Sequence, residues 1–198
     1  MGWSENDLKQ IGLRFLVITG TGLAVGFAVF RSAIFVTHLW AFQITMASIT
    51  VGLFYSVIRT SSLRNALAAL LVWCIASNAI VSSHHLWMMV MSFVYVGGLA
   101  CAVYVYTITV SKNIVRNFAS RIASLIVCTA IANALIVFVL ALLRIPFERV
   151  NLLIVPKAIL FNLEVGTLIG VALGIGIELA NYAIAKLDRP EKNVEDRG

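Results

Sequence analysis

Long apolar runs separated by short charged breaks organise this chain. Six runs reach the length a helix needs to cross a bilayer: residues 11–30, 33–58, 64–82, 86–110, 122–143 and 158–185. A spanning helix takes about 20 mainly apolar residues, because each residue rises ~1.5 Å through a hydrocarbon core of ~30 Å. The second run is long enough to include an interfacial lead-in around residues 35–40. Serine at position 4 with Asp7 three residues on marks a capped helix start, and Trp3 suits an interfacial anchor there. The pattern predicts an all-α polytopic membrane bundle of six transmembrane helices. It occupies residues 1–189 as one domain, with a polar tail over 190–198.

Composition sharpens that picture. Hydrophobic residues make up 61% of the chain and charged residues 12%, at a mean hydropathy of +0.96, too apolar for an ordinary soluble domain. With the N-terminus inside, the inner side carries 11 of the 15 lysines and arginines and the outer side 4. The excess of basic residues on cytoplasmic loops then puts both termini in the cytoplasm. The net charge of +6 reads as a topology signal and a match to anionic inner-leaflet lipid, with no basic stretch long enough for nucleic acid. Position 6 is Asn6, which fails the N-myristoylation pattern begun by Met1-Gly2. The first run is too long for a cleavable signal.

Small residues are spaced for close helix packing. Gly166, Gly170 and Gly174 recur every fourth residue in the last span, with Gly176 just beyond; Gly22 and Gly26, then Ala24 and Ala28, do so in the first. All three prolines, Pro146, Pro156 and Pro190, lie outside the spans, which argues against proline-broken transporter helices. Cys74, Cys101 and Cys128 fall inside three different spans, an odd number with none in a loop, so they read as free, buried thiols.

Polar residues inside the spans are the candidates for chemistry, because lipid penalises them. Glu164 and Glu178 are the only acidic residues within any span, about 40° apart around the last helix. Glu164 reads equally as a ligand contact or as a partner of Lys157 or Arg149. Glu178 reads first as an inner-interface salt bridge. The second span carries Gln43, Thr45, Ser48 and Thr50, the third Asn78, the fifth Thr129 and Asn133. With Glu164 these could supply the few convergent polar groups of a small-molecule pocket. His84 and His85, beside Trp87, and His38 read as interfacial residues, so no metal is expected. No nucleophile, zinc or phosphate-loop motif is present, which predicts a protein that is not an enzyme and needs no cofactor.

The stretches ANALIVFVLALL and IVPKAILFNLEVGTLIG carry a resemblance. An Asn-containing fifth span, a long outer connection and a Pro…Phe-Asn-Leu…Gly approach to the last helix make the chain similar to the S component of energy-coupling-factor vitamin transporters. Ala24 and Ala28 resemble that family's Ala-x-x-x-Ala contact, although they sit mid-span where the family's pair lies nearer the cytoplasm. No histidine follows Met1, so the metal-transporting branch is not implied. The resemblance implies a substrate-binding subunit in a prokaryotic cell membrane, energised by two cytoplasmic ATPases through a membrane scaffold subunit. It implies substrate contacts at Asn162, Glu164, Asn133 and Trp87, with Asn78 behind them, and partner docking at Ala24 and Ala28. On this reading Glu164→Gln weakens substrate binding. Three alternatives stay open: a non-catalytic assembly or regulatory subunit, a small oligomeric channel or exporter, and an intramembrane enzyme, for which no constellation is found.

Overall fold

The first helix starts where Ser4 and Asp7 cap each other. The Asp7 N–H donates to Ser4 Oγ at 3.1 Å and the Ser4 N–H donates to Asp7 Oδ2 at 3.0 Å. This reciprocal pair satisfies two amides that a helix N-terminus otherwise leaves bare. The structure, a computed structural model, describes residues 3–31, 37–81, 86–112, 114–144 and 154–187, without the side chains of 37–39, 78–81, 86–89 and 144. Among the described residues it is all-α, with six helices: α1 (Glu5–Arg31), α2 (Thr37–Thr60), α3 (Leu63–Val81), α4 (Leu86–Ser111), α5 (Phe118–Arg144) and α6 (Val155–Leu187).

Five of the six are long and apolar enough to span a membrane over their described residues: α1, α2, α4, α5 and α6. The third, α3, counts as a shorter apolar helix there, over Leu63–Ser77. Its full 19 residues rise about 28 Å, close to the thickness of a hydrocarbon core.

Glycine fixes how the helices approach, and the contacts fix their directions. A Cβ at Gly22 would collide with Ser48 on α2, and one at Gly26 would lie 2.9 Å from Thr45 Oγ1 and 3.1 Å from the Ala41 carbonyl. Gly52 of α2 in turn faces Ile18 and Thr19 of α1. Rising residue numbers on α1 therefore meet falling numbers on α2, and the pair is antiparallel. Gly176 meets Ile18 in the same way, making α6 antiparallel to α1. The stripe on α6 faces α5: Gly166 against Ala130 and Thr129, Gly170 against Ile126, Gly174 against Ile122. A side chain at Gly166 or Gly170 would push into the α5 backbone, and one at Gly174 would press on the Ile122 side chain. The stripe is thus consumed by packing inside the bundle.

Contacts of α3, α4 and α5 complete the topology. On one side of α4 a groove is lined by Leu63, Leu67 and Cys74 of α3 together with Val96, Ala100 and Tyr104. On the other, Gly98 faces Ile136 while Tyr106 and Arg121 meet at Glu178, so α5 is antiparallel to α4. Trp73 of α3 donates to Thr50 Oγ1 of α2 at 3.2 Å across the short turn after Thr60, so α3 is antiparallel to α2. The helices alternate up and down, and the start of α1 lies beside the end of α6, where Asn6, Lys9 and Leu13 share a cleft with Ile184 and Leu187. The buried core runs through α2 and α6, with Ile44, Val51, Phe54, Ile169, Leu173 and Ile177 sealed from the surface together with Leu99, Val103 and Leu125. The outside is equally apolar: Leu16, Phe27, Val72, Ile131, Leu135 and Leu160 are all exposed. A protein with apolar residues on both sides of its helices is built for hydrocarbon, and this chain is an integral membrane protein.

Candidate functional site

Of the residues expected to touch substrate, Asn133, Asn162 and Glu164 have described side chains. Asn133 is buried in the α5–α6 seam, where its Nδ2 donates to the Thr129 carbonyl one turn back at 2.9 Å. Thr129 bridges the seam, its Oγ1 donating to the Gly166 carbonyl at 2.9 Å. Asn162 is half-buried and donates to the Ala158 carbonyl of its own helix at 2.9 Å. Glu164 is exposed, as is Lys157. Trp87 and Asn78 sit on α4 and α3, and their side chains lie outside the described residues, as do Arg149, His38, His84 and His85. Ala24 and Ala28 are exposed on α1, beside exposed Leu23 and Phe27. All three cysteines are free thiols.

What the structure does gather is a polar layer near the end of the bundle that holds the two termini. The Tyr106 hydroxyl of α4 donates to Glu178 Oε1 of α6 at 3.0 Å. Glu178 Oε2 faces Arg121 Nη1 of α5 at 3.7 Å, with the carboxylate side chain only 10% exposed. One turn further along α6, Asn181 Nδ2 donates to the Tyr55 hydroxyl of α2 at 3.1 Å. Arg14 of α1 is buried, one turn before Ile18. Because Ile18 meets both Gly52 and Gly176, the antiparallel register brings Arg14 to the level of Tyr55 and Asn181. Tyr55 lies within electrostatic reach of Arg14, Arg59 and Glu178. Five helices thus contribute to one layer.

The chemistry of this layer is cohesive. Glu178 accepts one hydrogen bond, from Tyr106, and faces the Arg121 guanidinium at 3.7 Å, in a low dielectric where losing either partner is costly. An ionisable cluster within a membrane bundle is also, by default, a place where function is sought. The glycines explain why it forms. Gly52 and Gly176 bring α2 and α6 onto α1, and Gly174 brings α5 onto α6, each within two turns of the layer.

Glu178 is the member of this layer legible in the sequence, as an inner salt bridge. Tyr55, Tyr106 and Asn181 carry no signal there beyond a polar tip on the helix face that also carries the core. The fold and the layer define a class: a polytopic α-helical membrane protein whose helices are tied by an internal ionic network. Compared with known proteins, the chain matches no family model, no curated protein and no solved structure.

Proposed function

We propose that this protein is the substrate-binding membrane subunit of a small-molecule uptake transporter, energised by separate ATPase partners. The observation that supports it most is the asymmetry of the bundle. Tyr55, Tyr106, Arg121, Glu178 and Asn181 tie α2, α4, α5 and α6 together at the termini-bearing end, with Arg14 of α1 buried at the same level. A binding subunit that receives substrate from outside needs such a seal on its cytoplasmic side. The distribution of lysine and arginine assigns the sealed end to the cytoplasm. The exposed face of α1, with Ala24 and Ala28 among Leu16, Leu23 and Phe27, is the surface offered to a membrane scaffold subunit.

The same exposed face favours one competing reading, a non-transporting assembly subunit docked on another helix bundle. Purification of the tagged protein from its native membrane in mild detergent separates the two. The transporter reading expects an ATPase pair and a second membrane subunit to co-purify. Recovery with a different membrane partner and no ATPase contradicts it, and a homo-oligomer alone points to a channel.

A further inference from the structure

Three polar atoms in the other half of the bundle are buried without a hydrogen-bond partner: Trp40 Nε1, Gln43 Oε1 and Tyr95 Oη. They lie at one depth. Tyr95 precedes Tyr106 by eleven residues, three turns, and so shares its inward face about 16 Å away along α4. The bonds from Tyr106 to Glu178 and from Asn181 to Tyr55 align α4, α6 and α2, which run in the same direction. Stepping the same three turns along α2 from the level of Tyr106 arrives at residues 40–43. Trp40 and Gln43 therefore bracket the level of Tyr95. Trp40 also meets Phe161 of α6, with ring centroids 5.6 Å apart and planes tilted by 53°.

Such atoms are an anomaly. A buried amide, indole or phenol left unpaired costs about 1–3 kcal/mol in a protein interior, and native structures keep few of them. Here a donor that cannot accept, an acceptor carbonyl and a hydroxyl able to do both fall at similar depths by helix register, and Phe161 packs on Trp40. Among the described residues the charged side chains of this half, Arg31 of α1 and Glu164 and Lys157 of α6, are exposed.

We infer that Trp40, Gln43, Tyr95 and Phe161 form a binding site for an uncharged, planar ring compound that carries both a hydrogen-bond acceptor and a donor. The Trp40 N–H donates to the ligand, the Gln43 carbonyl accepts from it, Tyr95 completes the set, and the Trp40 and Phe161 rings pack on its faces. A charged ligand is rejected because, among the described residues, no charged side chain is buried at that depth to neutralise it. This inference rests on the substrate-binding reading and names the substrate class.

The test is a thermal-shift and tryptophan-fluorescence titration of the full chain in mild detergent. Nicotinamide, adenine and lumichrome serve as neutral planar probes, with nicotinate and 1-methylnicotinamide as charged counterparts of the first. At least one neutral probe is expected to bind saturably, at least tenfold tighter than any charged one. Gln43→Leu and Tyr95→Phe should each weaken that binding at least tenfold, yet melt at or above the wild-type temperature, because each removes an unpaired buried atom. Preferential binding of a charged probe overturns the ligand class and leaves the transport reading standing. A null across the panel, or lowered melting in both variants, overturns the site, even where ATPase partners co-purify. Neutral-probe binding without such partners upholds the site and overturns the transport reading.

Discussion

A single methyl group distinguishes the glycines that build this bundle from those that do not. A Cβ at Gly170 would press on Thr129 Oγ1 and the Ile126 backbone, whereas at Gly97 it meets nothing within 4 Å. Gly170→Ala should therefore cost about 1–3 kcal/mol through overpacking. Gly97→Ala should be neutral or stabilise by up to about 1 kcal/mol through helix propensity. Melting temperatures of the two variants in the same detergent check this, and equal effects would mean that α6 does not lie tight on α5. At the polar layer, Tyr106→Phe and Glu178→Gln should each lower stability by about 1–3 kcal/mol. Because the two side chains share a hydrogen bond, the double variant should lose less than the sum of the two. Additive losses would show that the bond contributes nothing.

At the scale of elements, hydropathy found all six helices but not their ends. The first begins at Glu5 where the apolar run begins at 11, because the Ser4–Asp7 cap extends the helix into polar sequence. The last begins at Val155 and ends at Leu187, beyond the 158–185 run, because Pro156 is tolerated in a first turn and Lys186 in a final one. Faces were harder to read than lengths. Glu164 and Glu178 differ by about 40° around α6, yet one is exposed and the other held by Tyr106 and Arg121. Which acid is enclosed depends on what the neighbouring helices bring, and that is absent from the α6 sequence. For α3, the alternation of helix directions requires a crossing. In a cysteine-free background, Ser62→Cys and Ser83→Cys should be labelled by a membrane-impermeant maleimide from opposite sides of the membrane. Labelling from one side would make α3 re-entrant and put the termini on opposite faces.

At the scale of the molecule, the architecture was legible because lipid imposes it: few polar residues, long apolar runs and basic loops leave a helix bundle as the solution. The convergence of polar groups was not legible. Gln43 stood out as a polar residue within a span, but Tyr95 and Trp40 look like ordinary aromatic residues of membrane helices. Their unpaired atoms emerge only when α2, α4 and α6 are brought together. Likewise the bond from Asn133 to the Thr129 carbonyl of its own helix cannot be read from composition. In the proposed subunit the bundle is sealed at its termini-bearing end, which the basic loops put in the cytoplasm, and takes substrate from the other. The decisive measurement is side-specific modification of Gln43→Cys, in a cysteine-free background in sealed vesicles. A water-soluble methanethiosulfonate reagent should react from the face opposite the termini and not from the termini-bearing face. Reaction from the termini-bearing face, or from neither, would rule out a site that opens away from the termini.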